Sequence, residues 1–325
     1  MRKALVIGIN GYHDAELNVC VDDAICVGQL LEKHYDDSKN FEVKYLLDNF
    51  ATRAGIRSSI RTLFKNDDDV ALLYFSGHGS DDDNDGFICT YDWGPDDLGI
   101  SMAEILQFVN KSKCKNKIVL FDCCYSGAMG GASGIIGDQS VLSEGTVIMT
   151  ASRKSEPSVI RGNEPNSLFT RLFVQGLEGA ASDIFGETTP SSIYAFIDKS
   201  LGAWEQRPFF KSNVSSFISL RKNEPIMDLH TLKSSLDLFV QRDSVFNLDP
   251  SFEPTNTKGS KHYNIAPYAV KEKCEIFQLL LKCYKAGLVK PANLDSMYET
   301  AMQSNECVLT KLGQYYFDLY SEKKI

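Results

Sequence analysis

Long hydrophobic runs are missing. No stretch of the 325 residues approaches the roughly 18 consecutive apolar side chains that a membrane-spanning helix needs, so neither a membrane anchor nor a membrane partner is expected. The opening Met1-Arg2-Lys3-Ala4-Leu5-Val6-Ile7-Gly8 is basic at its start. Its apolar run breaks at Gly8 and Asn10, which reads as a first strand and not as a secretory leader. A disulfide framework is also missing. The nine cysteines are odd in number, Cys123 and Cys124 are adjacent, and no leader precedes them, so a reducing, cytoplasmic setting is expected. No Cys-x-x-Cys is answered by a second such pair, which leaves a structural zinc site without support. Internal repeats and low-complexity tracts are absent. Positive charge is scarce where it would matter for nucleic acid. Residues 1–220 hold 20 basic against 30 acidic side chains, and the remainder 14 against 13. An acidic surface repels phosphate backbones and attracts cations or basic substrates, so no nucleic-acid partner is expected.

What is present suffices for packed cores: 43% hydrophobic and 11% aromatic residues, over a length that suggests about two domains. Through the first 220 residues strand and helix signals alternate. Continuous apolar runs at Ala4–Ile9, Val70–Phe75, Lys117–Phe121 and Thr146–Thr150, with Phe41–Leu46, read as strands of a buried parallel sheet. Between them, helices are expected over 22–32, 52–64 and 101–109, with further ones over 167–177 and 191–198. The expected architecture is α/β, a mostly parallel sheet with helices on both faces, followed by a small C-terminal helical domain. Ligands of such sheets sit beyond the carboxyl ends of the strands.

Two strand ends carry unusual residues. One run continues into Phe75-Ser76-Gly77-His78-Gly79, which places a histidine between glycines on an open loop. Another continues into Asp122-Cys123-Cys124-Tyr125-Ser126-Gly127. Side chains alternate along a strand, so Asp122 and Cys124 share a side away from Cys123. If the two strands are neighbours, His78 and Cys124 face each other above the sheet. A thiolate nucleophile, a histidine to carry its proton, and backbone N–H groups of Gly79 and Cys124 to cradle an oxyanion make up an acyl-transfer site.

These segments resemble the histidine and cysteine motifs of the caspase superfamily, in particular its metacaspase and paracaspase-type prokaryotic members. The family pattern Asp-x-Cys-x-Ser-Gly selects Cys124 over Cys123, and His78 lies 46 residues upstream of it. Ala4-Leu5-Val6-Ile7-Gly8-Ile9-Asn10-Gly11-Tyr12, Leu17-Asn18-Val19-Cys20-Val21-Asp22-Asp23-Ala24, Thr150-Ala151-Ser152 and Ser167-Leu168-Phe169-Thr170 are similar to other family segments. The resemblance covers about residues 1–220. It implies a caspase-like fold and a cysteine endopeptidase with a Cys124–His78 dyad working through a thioester acyl-enzyme. It also implies an S1 pocket lined by Asp23, Asp122 and Ser152. Two carboxylates suit a guanidinium or ammonium group, so the expected substrate is a protein cleaved after Arg or Lys. Tyr125 departs from the family, which often has His there. Asp81, Asp82, Asp83 and Asp85 could supply oxygen ligands to calcium, but their spacing does not fit an EF-hand loop and they are read as a solvated face. No cofactor is therefore assigned. Arg153, Lys154 and Arg161 are candidate autoprocessing sites.

The expected domains are a peptidase domain over 1–222, a linker or irregular segment over 223–260 broken by prolines, and a helical or winged-helix-like module over 261–325. Near-zero charge and no Lys/Arg stripe favour a regulatory protein partner for this module over DNA. By family analogy the setting is prokaryotic defence or cell death. Two rival readings have different chemistry: a catalytically silent caspase-like scaffold, and a DNA-binding regulator acting through the C-terminal module.

Overall fold

The structure, a computed structural model, describes residues 1–13, 15–81, 85–94, 97–123, 141–151, 166–202, 207–261 and 263–325. The chain divides into two compact units, Met1–Glu224 and Pro225–Ile325.

The first unit is built on a six-stranded sheet. Its strands are β1 (Arg2–Gly8), β2 (Glu42–Leu47), β3 (Val70–Ser76), β7 (Asn116–Asp122), β8 (Thr146–Thr150) and β10 (Phe209–Asn213), in the order β10-β8-β7-β3-β1-β2. Three short strands, β4 (Gly79–Asp81), β5 (Gly86–Ile88) and β6 (Ile100–Ser101), form a small antiparallel sheet between β3 and β7 in the chain. All pairings of the large sheet are parallel except that of the edge strand β10 on β8. All seven residues of β3 are buried, which is why its sequence is a continuous apolar run without alternation.

Helices cover both faces. On one face lie α2 (Arg53–Lys65) and α3 (Met102–Lys111), packing Ile56, Ile60, Ile105 and Val109 against Leu73, Phe75, Val119 and Phe121. On the other lie α1 (Cys20–Glu32), α4 (Leu168–Gln175) and α5 (Pro190–Ser200), packing Val27, Leu31, Phe173 and Ile193 against Val6, Leu72, Tyr74 and Leu120. Each such side chain contributes roughly 1.5–3 kcal/mol on burial. The helix starts are written in the sequence: Thr52, Ser101, Ser167 and Thr189 each accept a hydrogen bond from a backbone N–H three residues on. α1 is capped from outside instead. Asn10 Oδ1 accepts from the N–H groups of Cys20 (2.9 Å) and Val21 (3.3 Å). A Cβ on Gly8 would stand 2.3 Å from the Cys20 carbonyl oxygen, so only glycine lets the first turn of α1 sit this close to the end of β1.

β2 and β3 lie on opposite sides of β1, so the strand order reverses between β1 and β3. This is the switch point at which open α/β sheets leave a crevice for ligands. Two small strands, β9 (Glu187–Thr188) and β11 (Arg221–Lys222), pair antiparallel and tie the end of the unit to itself.

The second unit contains α6 (Leu229–Leu236), β12 (Val245–Asn247), α7 (Lys271–Lys285), β13 (Val289–Pro291), α8 (Met297–Met302), β14 (Glu306–Leu309) and α9 (Lys311–Ser321). Its strands form an antiparallel sheet in the order β12-β14-β13. Residues 223–260, expected as a linker, carry α6 and β12. Leu232, Leu236, Phe239, Leu248 and Phe252 in this stretch are buried. Pro250 does not interrupt structure there; it opens a one-turn helix capped by Asp249.

Candidate active site

The ends of β1, β3 and β7 meet at the switch point. Gly8 is in register with Ser76, and Ser76 with Asp122. The ladder runs on past the strands: the Ile9 N–H donates to the Ser76 carbonyl (3.1 Å), and the Gly77 N–H to the Asp122 carbonyl (3.4 Å). The loop that carries His78 is therefore tied to the strand that leads to Cys124.

His78 is held at three points. Its N–H donates to the Tyr12 hydroxyl at 3.0 Å, and its carbonyl accepts from the Cys89 N–H at 2.9 Å. Its ring Nε2 lies 2.7 Å from the Ala15 carbonyl oxygen. A carbonyl only accepts, so the neutral ring donates through Nε2 and keeps Nδ1 as its acceptor nitrogen. The Tyr12 ring also lies against the imidazole, with centroids 4.7 Å apart. Tyr12 is itself fixed by donating to the Cys89 carbonyl (3.2 Å), and burial holds its phenol well above the ordinary value. A Cβ on Gly77 would meet the Tyr12 hydroxyl at 2.4 Å, so the glycine preceding His78 makes this packing feasible.

A second cluster lies on the α1 side of the same strand ends. Asp23, in the first turn of α1, is fully buried, and Asp122 is 4% exposed. Asp23 Oδ2 accepts from Ser76 Oγ at 2.9 Å. Its Oδ1 accepts from Asn166 Nδ2 (2.7 Å) and from the Ser167 N–H (3.2 Å). Asp122 Oδ2 accepts from the Ser167 hydroxyl and from Thr170 Oγ1 (2.7 Å). Burial, and then the nearby charge of Asp122, push the Asp23 carboxyl up to about 7. Cys20 beside this pair is driven by burial up to about 12, with the carboxylate charges adding to it, so it is an inert thiol and not a nucleophile.

The structure thus places His78 and the two acids Asp23 and Asp122 at one end of the sheet. Gly79 begins β4, paired with Ile88. Cys123 is buried in the α2/α3-side core, the orientation that strand alternation gives it. Cys124 and Ser152 lie outside the described residues, as do Arg153, Lys154, Arg161, Asp82 and Asp83. Of the two described acids in the loop after His78, Asp81 is exposed at the end of β4. Asp85 accepts from the N–H groups of Gly86 (2.9 Å) and Ala103 (3.1 Å) and so supports the start of α3. Among the described residues no group of three or more His, Cys, Asp or Glu could hold a metal ion, and no helix is long and apolar enough to cross a membrane.

Sequence reasoning did not single out Tyr12, Ala15, Ser76, Asn166, Ser167 or Thr170 as parts of a site. Ala15 acts through its backbone, so no side chain could have signalled it. Ser76 and Asp122 did carry a signal: each extends a buried period-2 face (Leu72-x-Tyr74-x-Ser76, Leu120-x-Asp122) with a polar group.

The described site is thus a histidine and two buried acids at the carboxyl ends of a mostly parallel sheet covered by helices on both faces. Residues 1–220 match the caspase domain, and the chain belongs to that family of cysteine peptidases. Its hydrolase character follows at that level. Two solved structures resemble it: a structural-genomics protein from Geobacter sulfurreducens (TM-score 0.49, 17% identity, covering 69% of this chain and 98% of that one) and caspase-1 from Spodoptera frugiperda (TM-score 0.47, 14% identity, covering 69% and 90%). No curated protein matches the sequence.

Proposed function

We propose that the protein is a cysteine endopeptidase that cleaves after arginine or lysine, with Cys124 as nucleophile and His78 as its base. The observation that carries this reading is the buried acid pair Asp23 and Asp122 at the strand ends that also bear His78. Among the described residues, hydroxyls, one amide and one backbone N–H bond these two carboxylates. A guanidinium or ammonium group is the ligand that best compensates two adjacent buried anions. An aspartate side chain in the same place would add a third negative charge.

In this mechanism the Cys124 thiol gives its proton to His78 Nδ1, and the thiolate sulfur attacks the scissile carbonyl carbon. The Ala15 carbonyl keeps the ring in the tautomer that has Nδ1 available and stabilises the imidazolium that forms. Backbone N–H groups of Gly79 and Cys124 receive the oxyanion, each such donor being worth about 3 kcal/mol. Collapse breaks the C–N bond, and the imidazolium proton goes to the leaving amine. Water, deprotonated by His78, then attacks the thioester, which releases the new carboxylate and regenerates the thiol. Ser152 is assigned to the same pocket as Asp23 and Asp122. The Pro225–Ile325 unit is assigned a regulatory role through a protein partner, in a prokaryotic defence or cell-death setting.

The test is hydrolysis of a fluorogenic peptide ending in Arg by the wild type, Cys124→Ala and His78→Ala. Loss of turnover in both variants supports the dyad; wild-type rates in either one remove that residue from it.

A further inference from the structure

α4 starts directly against the acid pair. Its cap residue Ser167 touches both carboxylates: the N–H donates to Asp23 Oδ1 at 3.2 Å, and the hydroxyl donates to Asp122 Oδ2. The same hydroxyl accepts from the Thr170 N–H at 3.1 Å, as the cap of α4, so its proton is directed at Asp122. One turn on, Thr170 Oγ1 donates to the same Asp122 oxygen at 2.7 Å. With its proton committed there, Thr170 accepts from the Tyr74 hydroxyl at 2.5 Å. Ser167, Thr170 and Tyr74 are all buried, Tyr74 and Thr170 completely. The donors therefore run one way, Tyr74 to Thr170 to Asp122, and Ser167 to Asp122. Such a chain favours a carboxylate over a carboxylic acid, because a protonated oxygen there would oppose two inward-pointing hydroxyls.

We infer that Ser167 and Thr170, backed by Tyr74, are positioning residues for substrate recognition: they fix the orientation and the negative charge of Asp122 relative to Asp23, so that the pair is ready for a cationic side chain before substrate arrives. This rests on the proposed arginine/lysine pocket. A purely structural need is weaker as an explanation. An N-cap serine has done its work once it accepts from the third N–H, and a buried Thr170–Tyr74 pair needs no carboxylate at its end. Among the described residues, the titratable groups that interact with the acids include Cys20 and Cys26 on α1 and Tyr74 on β3, with the acids Asp22, Asp48 and Glu178 acting on the two cysteines. Burial raises the two thiols and the phenol, so none of these three supplies a charge of its own near neutral pH.

The test compares wild type with Ser167→Ala, Thr170→Val, Thr170→Ser and Tyr74→Phe on an Arg-ending peptide, as kcat and KM across pH 5.5–8.5. Hydrogen bonds to a charged group are worth enough that losing one should raise KM roughly ten-fold or more. The expected result is that rise in Ser167→Ala and Thr170→Val, with kcat and the rate of Cys124 alkylation by iodoacetamide held within a few-fold. The acid limb of kcat/KM should move to higher pH, because the lost donors favoured the ionised acid. Thr170→Ser should restore both readings, and Tyr74→Phe should give a smaller change of the same sign. An unchanged KM and pH limb would overturn the inference, as would a joint fall of kcat, alkylation rate and melting temperature. Binding of N-acetylarginine methylamide to the Cys124→Ala protein, with and without Thr170→Val, separates the two readings. Weaker binding in the Val variant upholds the positioning role even if the wild type hydrolyses no Arg peptide, which would count against the peptidase alone. Equal binding overturns the positioning role even in an active protease.

Discussion

Asp23 offers a direct way to weigh the recognition pocket against the fold that holds it. Its carboxyl is displaced from 3.8 to about 7, first by burial and then by Asp122. That displacement corresponds to roughly 4 kcal/mol. The native state keeps this proton between the unfolded and folded values, whereas the unfolded chain has released it. Below about pH 4 both states are protonated and the site costs nothing. Stability falls as pH rises between the two values, and the full cost is present above about pH 7. Asp23→Asn has nearly the same shape and no charge. Its carbonyl oxygen can take the Asn166 and Ser167 donors, and its amide can donate to Ser76, whose hydroxyl is free to turn. The variant should therefore gain between about 1 and 4 kcal/mol over wild type at pH 8, and the gain should shrink below about 1 kcal/mol by pH 4.5. Urea denaturation of both proteins, following the transition of the Met1–Glu224 unit at several pH values, gives the comparison. Hydrolysis of an Arg peptide should fall by at least about ten-fold in the same variant, the trade of activity for stability that destabilised sites show. A variant less stable than wild type at pH 8, or a difference that stays constant from pH 4.5 to 8, would refute the reasoning.

Two further perturbations address the histidine loop. Tyr12→Phe removes the acceptor for the His78 N–H and the donor to the Cys89 carbonyl while keeping the ring against the imidazole. It should cost about 1–3 kcal/mol in urea denaturation and lower kcat more than it raises KM. Gly77→Ala places a methyl group 2.4 Å from the Tyr12 hydroxyl and 2.8 Å from the Phe75 ring, both buried. A loss of about 1–3 kcal/mol, with slowed alkylation of Cys124, is expected by the same measurements; an unperturbed protein would show that the loop moves aside freely.

The large sheet was legible because β1, β3, β7 and β8 are buried along most of their length and so read as continuous apolar runs, and because Thr52, Ser101 and Ser167 mark helix starts. Short strands such as β4 and β9 were not: two or three residues carry no period, and their pairing is set by tertiary neighbours. The edge strand β10 is half exposed and mixes Phe, Lys, Ser and Asn, which gives neither a buried run nor clean alternation. In the second unit Pro250 and Pro254 suggested a break, yet the burial of Phe239, Leu248 and Phe252 around them builds a folded segment. His78, Asp23 and Asp122 were visible as polar residues at strand ends or at a helix start. Their supporting hydroxyls were hidden, because Ser167 and Thr170 have the look of an ordinary capped helix until the sheet brings Asp122 beneath them.

The central claim is that two buried carboxylates select a cationic side chain for cleavage. Its most direct measurement is kcat/KM for one peptide series that differs only in the residue before the scissile bond: Arg, Lys, Gln and Asp. Cleavage of the Arg and Lys peptides is expected, with the Gln and Asp peptides lower by at least about a hundred-fold, since an unpaired charge buried against like charge costs several kcal/mol. Preferred cleavage of the Asp peptide, or equal rates for Arg and Gln, would contradict it.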